Sequence, residues 1–335
     1  MKHITVALFV PHKGCPHQCS FCNQRSISGT QSPTTPDDVR EAVKTAMKNP
    51  ELKGAEIAFF GGSFTAIERE YMMSLLKAAG EHIDGDVFGG IRISTRPDAI
   101  DSEICSILKE NKVTAVELGA QSMDDTVLKM NSRGHTCDDV VNAMALLKDF
   151  GFETGLQMMT GLYGSSKQES IDTAKKIISL SPDTVRVYPT VVLEGTYLAE
   201  LYKNGEYSPQ SVDEAVDICS EILPMFYDAG IRVIRVGLHS GGGVDGGFVA
   251  GAYHPAFREL CESRIYYKKI LEAVGSFNPP CELEIEVSPS ALSQAIGQKK
   301  ENIIKLGALG YSCKVIQSPG LKKYQVLVKE KTYDT

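Results

Sequence analysis

Short apolar stretches alternate with amphipathic segments along most of the chain. The apolar stretches predict strands over 4–10, 56–60, 90–94, 115–118, 153–159, 184–188 and 231–236. Apolar residues at helical spacing predict helices over 36–48, 68–79, 101–109, 138–150, 167–180 and 212–228. Repeated strand–helix units form parallel sheets with crossover helices. Six or seven such units predict an α/β fold with a partial or complete (β/α) barrel of the TIM type, whose chemistry lies at the C-terminal ends of the strands.

The C-terminal segment has a different pattern. A helix is predicted over 255–274, followed by strand, helix, turn, helix and two strands over 282–287, 290–295, 297–300, 301–309, 311–317 and 324–328. This order predicts a separate small α+β domain. Residues 237–251, which contain seven glycines, are interpreted as a linker or boundary, with a mobile loop at the barrel rim as the alternative. We therefore expect a barrel over 1–240, a glycine-rich loop and connecting helix over 241–280, and a small domain over 281–331.

Composition narrows the class of protein. A net charge of −7 argues against a protein that coats nucleic acid non-specifically. No apolar run approaches the roughly 18 residues of a membrane span, and the N-terminus lacks the features of a secretory signal. We expect a cytoplasmic protein without a membrane partner, in which nine cysteines do not form a disulfide framework.

Three of these cysteines form a compact group in GCPHQCSFCNQ, directly after the first predicted strand. Structural zinc normally takes four ligands, and the nearby His12 and His17 lack a standard finger spacing. Iron–sulfur clusters are held by thiolates, usually four. The three thiolates of Cys15, Cys19 and Cys22 would leave one iron of a [4Fe-4S] cluster open to the amine and carboxylate of S-adenosylmethionine (SAM). We predict this cluster, and a zinc-stabilised RNA-binding protein is the alternative.

The same segment, C-x3-C-x-aromatic-C, resembles the signature of the radical SAM superfamily, with Phe21 at the aromatic position near the adenine. The resemblance implies that the cluster reduces SAM, which yields methionine and a 5′-deoxyadenosyl radical that abstracts hydrogen from a substrate. It also implies an electron donor such as flavodoxin or ferredoxin. In AFFGGSFTA, Gly61 and Gly62 match positions that contact the methionyl amine, and Ser63 stands where Glu is common.

Later motifs extend the resemblance. ISTRPDAI, VELGAQSMDDTVLKMNSRGHT, GLQMMTGLYGSS and PDTVRVYPTVVLEGTYLAELYKNGEYSP follow in order and resemble the radical domain of the Elongator catalytic subunit, a transfer-RNA wobble-uridine modifier, over about residues 5–240. The oxygen-independent coproporphyrinogen oxidases are more distantly similar. The resemblance implies SAM contacts for side chains at the strand ends and in the motifs, namely Ser94, Arg96, Gln121, Arg133 and Gln157.

Two residues of VYPTVVLEGT, Tyr188 and Glu194, match the Elongator-like pattern at the sixth strand and are candidate substrate contacts. A core aromatic is the alternative for Tyr188. The tail carries no segment similar to the Elongator acetyltransferase domain, so we do not expect the carboxymethylation route that uses acetyl-coenzyme A. The sequence assigns no catalytic side chain.

The tail segment ALSQAIGQKKENIIKLGALGYSCKVI resembles a degenerate KH domain, whose G-x-x-G loop clamps a nucleic-acid backbone. Gly297, Lys299 and Lys300 are therefore candidate RNA contacts, although Lys300 replaces the second glycine of the loop. A small appendage that caps the barrel is the alternative. Taken together, the sequence predicts a radical SAM enzyme that modifies a nucleotide in transfer or ribosomal RNA, with a small-molecule radical enzyme as the alternative.

Overall fold

Seven parallel strands form the main sheet of this computed structural model, which describes residues 4–10, 15, 18–23, 32–238 and 246–331. They are β1 (Thr5–Val10), β2 (Ala55–Gly61), β3 (Phe88–Thr95), β4 (Val113–Gln121), β5 (Glu153–Thr160), β6 (Thr184–Pro189) and β8 (Arg232–Val236), and they lie in that order across the sheet. Two shorter strands, β7 (Val191–Leu193) and β9 (Phe248–Gly251), form an antiparallel pair apart from it.

Helices follow the strands along the chain, and most of them pack against the outer face of the main sheet. They are α1 (Pro36–Ala46), α2 (Arg69–Gly80), α3 (Ser102–Glu110), α4 (Asp125–Met130), α5 (Cys137–Asp149), α6 (Lys167–Ser179), α7 (Tyr197–Lys203) and α8 (Val212–Asp228). Several begin at a capping box, in which the N-cap hydroxyl and an acidic residue three positions later satisfy each other's backbone N–H groups, as Thr35 and Asp38 do. Alternate strand residues such as Ile57, Ile93 and Val187 are fully buried and form the core.

The main sheet is curved so strongly that its inner face contacts itself. The guanidinium of Arg186 on β6 lies 5.0 Å from the ring centroid of Phe60 on β2, although three strands separate β2 from β6. Across the described ranges, β1 and β8 form the two edges of the sheet. The predicted α/β barrel is therefore confirmed, in its partial form.

The β7–β9 pair was not predicted. Val191 to Leu193 pair with 248–251, and the Glu194 N–H donates to the carbonyl of Gly247 at 2.8 Å. A strand of three or four residues is too short to show a periodicity. The end of the glycine-rich segment is therefore sheet rather than flexible linker, and its residues 239–245 lie outside the described part of the chain.

The C-terminal part follows α9 (Phe257–Val274) and contains β10 (Cys281–Val287), α10 (Leu292–Ile296), α11 (Glu301–Ala308), β11 (Tyr311–Gln317) and β12 (Val326–Glu330). Its three strands have the order β11-β10-β12. The last strand begins at Val326 rather than at the predicted Tyr324, because Tyr324 has a φ of +62° and donates its N–H to the Tyr266 hydroxyl at 2.9 Å. No helix within the described ranges combines the length and apolar character that a bilayer crossing requires.

Candidate active site

The segment after β1 carries the three predicted cluster ligands, and residues 15 and 18–23 of it are called the cysteine loop here. Ser20 anchors this loop on one side, because its N–H and hydroxyl donate to the backbone and side-chain oxygens of Asn131 at 3.0 and 2.8 Å. On the other side the Ser20 carbonyl accepts from the N–H of Leu198, at 2.8 Å. Buried Asn131, which sequence reasoning missed, thus positions the loop; its place in the NSRGH motif was the available signal.

Two of the thiols interact with each other and with arginines. Burial, followed by the neighbouring Cys19 thiol, raises the pKa of Cys15, whereas a hydrogen bond from the backbone of Ser63 and the cations of Arg133 and Arg96 lower it. The Sγ of Cys19 accepts a hydrogen bond from Nη1 of Arg133 at 3.3 Å. Burial and Cys19 outweigh the donors and cations, so the pKa of the free Cys15 thiol stays raised, and Ser63, Arg133 and Arg96 limit that increase.

Cys22, the third predicted ligand, is half-buried, and its N–H donates to the carbonyl of Cys19 at 3.1 Å in a tight turn. Among the residues that the structure describes, no three or more histidine, cysteine or carboxylate side chains form a group that could hold a metal ion. Ligation by Cys15, Cys19 and Cys22 stays a prediction.

The backbone at the end of β2 passes very close to β1. Gly61 has a φ of +113°, and a Cβ there would lie 2.7 Å from the carbonyl oxygen of Val10. The N–H of Gly62 donates to the same carbonyl at 3.3 Å. Only glycine fits position 61, because the backbone of β1 fills the space that a side chain would need. The contact of Gly61 and Gly62 with the methionyl amine stays a prediction.

The Ser63 side chain lies between β2 and β3, and its contact with the cofactor stays a prediction. It is fully buried, lies 2.8 Å from the Thr95 hydroxyl and accepts from the backbone N–H of Arg96 at 3.2 Å. The hydroxyl thus ties β2 to β3, and only the Ser63 backbone is directed at the cysteine loop.

The predicted arginines form one buried cluster. Arg96 donates to both carboxylate oxygens of Asp98 at 2.9 Å and to the carbonyl of Arg133 at 2.5 Å. Arg133 donates from Nη2 to the carbonyl of Gly119 at 2.6 Å. Nη1 of Arg96 and Nε of Arg133 are buried with no hydrogen-bond partner in the described part of the protein. These two groups are donors available to a ligand.

Gln121 and Gln157 meet at the ends of β4 and β5. Nε2 of Gln157 donates to Oε1 of Gln121 at 3.0 Å, and Gln121 is buried with a φ of +68°. Gly119, which the sequence prediction missed, makes room for this arrangement. A Cβ at Gly119 would lie 2.8 Å from Nε2 of Gln121 and 3.1 Å from Nη2 of Arg133.

The other predicted SAM contacts are less closely joined to this cluster. Ser94 is half-buried and stands in register beside Glu117. Phe21 packs in a small apolar cluster that includes Tyr163, Val192 and residues of β9. The aromatic residue of the cysteine motif is thus held against the β7–β9 pair.

His135 is a buried residue next to the arginines that the sequence reading did not select. Its Nε2 lies 3.2 Å from the carbonyl oxygen of Ala120. Burial, and then the cations of Arg133 and Arg96, lower the pKa of His135 to about 4. The ring is therefore neutral at physiological pH.

The two candidate substrate residues have different placements. Tyr188 is half-buried, and its hydroxyl accepts from Nη1 of Arg186, an inner-face residue, at 3.4 Å. Glu194 is exposed, and its backbone carbonyl accepts from Nδ2 of Asn23 at 2.9 Å. Glu194 therefore contacts the cysteine loop through its backbone.

In the tail, Gly297 lies at a packed position and the two lysines at exposed ones. A Cβ at Gly297 would lie 3.1 Å from atoms of Asn302 and Ser263, and the φ there is +80°. Lys299 and Lys300 are exposed and have left-handed backbone conformations, with φ of 50° and 62°. Other tail lysines have carboxylate partners, namely Lys305, Lys323, Lys329 and Lys331.

Comparison with known families agrees with this geometry. The model of the radical SAM superfamily matches residues 9–177, and that of the Radical_SAM C-terminal domain matches residues 182–267. The chain belongs to the radical SAM superfamily. Members of this superfamily use a [4Fe-4S] cluster and SAM.

Several curated proteins are similar to this radical SAM protein. A tRNA uridine(34) acetyltransferase of Methanocaldococcus jannaschii is 30% identical over 276 residues, which cover 69% of this chain and 50% of that protein. Elongator complex protein 3 of Homo sapiens is 30% identical over 190 residues, covering 51% of this chain and 35% of its own length. The chain thus spans half or less of these two relatives.

A solved structure shares the fold. Archaeal Elp3 of Methanocaldococcus infernus, with an N-terminal deletion, aligns with a TM-score of 0.64 and 25% identity, covering 80% of this chain and 64% of that one. The expected resemblance to the radical domain of the Elongator subunit is confirmed.

The residues of the site fit the cofactors that this superfamily uses. Three thiols lie on the cysteine loop, and Arg133 donates to one of them. Buried, unpartnered donors on Arg96 and Arg133 match the carboxylate of an amino acid group, which accepts charge-assisted hydrogen bonds.

Proposed function

We propose that this chain is a radical SAM enzyme that modifies a nucleotide in transfer or ribosomal RNA. The observation that carries the proposal is the contact between Arg133 and Cys19, because it joins the cysteine loop to the strand end that bears Gln121. The relatives named for action on tRNA uridine(34) support RNA as the substrate class.

In this proposal Cys15, Cys19 and Cys22 hold a [4Fe-4S] cluster. When bound, the cluster supplies an electron that cleaves SAM reductively, with flavodoxin or ferredoxin as the electron donor. Arg133 stabilises the Cys19 thiolate by a hydrogen bond. The free donor of Arg96 then orients the SAM carboxylate.

The two glutamine side chains orient the rest of the cofactor. Gln157 donates to Gln121, and this leaves the Gln121 amide N–H groups free for ribose or amino acid oxygens. Phe21, which packs in the apolar cluster beside the β7–β9 pair, would lie near the adenine.

RNA as the substrate is argued from the accessibility of the buried site and from the positive charge of two lysines in the tail. A buried site cannot reach into a duplex, so the target nucleotide has to be flipped out or already exposed in a loop. Lys299 and Lys300, which have no ion pair within the described chain, would contact the RNA backbone.

The test is a comparison of modified nucleosides, by mass spectrometry, in RNA from cells with and without the gene. We expect one modified nucleoside to disappear on deletion and to return with the wild-type gene but not with Cys19→Ala. Identical nucleosides in both RNA pools would overturn the RNA assignment and favour the small-molecule alternative. Tetrahedral zinc without labile sulfide, in anaerobically purified protein, would overturn the radical assignment and favour the zinc-stabilised RNA-binding protein.

A further inference from the structure

A row of four positions in register, the last three with polar side chains, crosses the inner face of the main sheet at the level of the candidate cofactor site. Gly119 on β4 is in register with Gln157 on β5, Gln157 with Arg186 on β6, and Arg186 with Arg235 on β8. Residues in register on neighbouring strands point to the same face. The contact of Arg186 with the Phe60 ring shows that this is the concave face.

Three other arginines in or near this row are paired with carboxylates. Nη2 of Arg186 donates to Oε1 of Glu117 at 2.8 Å. Arg92 bonds Glu56, Glu117 and Glu153, and Nη2 of Arg232 bonds Glu153 at 2.8 Å. These three arginines and three glutamates balance one another.

Arg235 differs from these three arginines. It is half-buried, and its Nε donates to the carbonyl of Gly237 at 2.9 Å. No carboxylate pairs with it in the part of the chain that the structure describes. Gly237 is itself held in place, because it has a φ of +77° and lies against Phe257, where a Cβ would meet the Phe257 Cβ at 2.8 Å. The guanidinium therefore has a defined position and free Nη groups.

The surroundings of Arg235 make an unpaired cation unfavourable. Burial and the nearby cations of Arg186 and Arg258 lower its pKa, and only Tyr188 acts in the opposite direction. Like charges on neighbouring strands are destabilising unless an anion lies between or above them. A guanidinium with free Nη groups binds phosphate in a bidentate manner.

We propose that Arg235, next to Arg186 and Tyr188, binds a phosphate group of the nucleotide substrate. This rests on the proposed function. Arg235 lies two strands from Gln157, a distance of about 10 Å measured across the strands of the sheet. The phosphate would thus be held at the β8 side of the sheet. The nucleoside would extend toward Gln121 on β4 and Gln157 on β5, the proposed SAM contacts.

The experiment measures binding of uridine 5′-monophosphate and of uridine to the reconstituted, SAM-loaded full chain by calorimetry. We expect the wild type to prefer the monophosphate by about tenfold, the loss expected for one charge-assisted contact, and Arg235→Gln to lose this preference. Arg235→Lys keeps the positive charge but not the paired Nη donors of the guanidinium, and it should retain part of the preference for the monophosphate. Arg232→Gln is the matched control, because this arginine is on the same strand but is paired with Glu153.

The outcomes separate this inference from the proposed function. Equal binding of monophosphate and nucleoside by the wild type, or an unchanged preference in Arg235→Gln, overturns the phosphate site. Inorganic phosphate that binds as tightly as the nucleotide, or acetate that competes equally well, overturns the nucleotide phosphate as the ligand. Circular dichroism confirms that each variant is folded. Absence of a modified nucleoside in cellular RNA, together with an intact Arg235-dependent preference, overturns only the proposed function.

Discussion

Nη1 of Arg133 donates to Sγ of Cys19 over 3.3 Å, although 114 positions separate the two residues in the chain. The same guanidinium donates from Nη2 to the Gly119 carbonyl on β4 at 2.6 Å. One buried side chain therefore links the cysteine loop to the strand that carries Gln121. Displacement of this arginine would disturb the proposed cluster site and the proposed cofactor site together.

Replacing Arg133 with Lys tests this link. Lysine keeps the charge but cannot bond both Cys19 and the Gly119 carbonyl in the same geometry. A buried carbonyl without a partner costs about 1–3 kcal/mol, so we expect the free energy of unfolding to fall by that amount and SAM affinity to weaken. Urea titration and equilibrium dialysis measure the two effects. Arg69→Lys, on the exposed surface, is the control and should change neither quantity. An unaltered SAM affinity in Arg133→Lys would contradict the role proposed for the two Nη groups of Arg133.

The Gly119→Ala variant separates cofactor binding from stability. The added methyl group would meet Nε2 of Gln121 and Nη2 of Arg133, which are the ends of movable side chains. We expect a loss of SAM affinity of about tenfold, equivalent to about 1.4 kcal/mol, with a smaller change in Tm than a core cavity causes. Gly307→Ala, in α11 with open space around it, is the control and should not affect SAM binding. Normal affinity in Gly119→Ala would remove Gln121 and Arg133 from the cofactor site.

The cysteine triad is tested by metal content. Substituting Cys15, Cys19 or Cys22 by Ala should reduce the iron and labile sulfide found after anaerobic reconstitution and abolish reductive SAM cleavage, because three thiolates are needed to hold the cluster. Cys137→Ser, at the start of α5, should retain both. Full iron content in any one of the three triad variants would exclude that cysteine as a ligand.

The lowered pKa of His135 predicts that the free energy of unfolding depends on pH. Its folded-state pKa of about 4 lies below the ordinary value of 6.5, so the unfolded chain binds a proton that the folded chain does not. Stability is therefore fully present above about pH 6.5 and is lost as the pH falls toward about 4, by up to about 3 kcal/mol. His135→Asn should lack this component. The test is the difference in urea stability between wild type and variant, which should shrink on acidification; a constant difference would contradict the buried neutral ring.

The paired substitution of Lys299 and Lys300 by Ala tests the tail as an RNA contact. Each phosphate contact contributes about 0.7 to the slope of log affinity against log salt for a single strand, so we expect the magnitude of the slope to fall by about 1.4. Filter binding of transfer RNA at several salt concentrations measures it. Lys329→Ala is the matched control, since Glu286 already neutralises that lysine. An unchanged slope in the double variant would favour the tail as a cap on the barrel.

Sequence patterns were sufficient for the main elements of the fold. The apolar periodicity of β2 to β6 and of the helices between them is local, so each element could be predicted from its own residues. The β7–β9 pair was missed because it depends on contact between two short segments more than fifty positions apart. The charged strand residues Glu56, Arg92 and Glu117 were a usable signal that was not taken up, because charges within a parallel sheet need partners.

Within the candidate site, Ser63 is an example of a side chain whose hydrogen-bond partners could not be predicted from the sequence. Its position after Gly61-Gly62 predicts a cofactor contact, which stays a prediction, and the structure adds that the hydroxyl bonds Thr95 and the backbone of Arg96. The direction of a side chain at a strand end depends on the neighbouring strand. No spacing within a single motif carries that information.

The sequence by itself determined the succession of strands and helices and the compact cysteine motif, because both depend on residues that are close along the chain. The tertiary structure decided the placement of Arg133 on Cys19, the space kept free by Gly119, and the adjacency of Arg186 and Arg235. These relationships follow from the register and the curvature of the main sheet. Register and curvature arise only when distant segments pack together, so local pattern alone could not supply them.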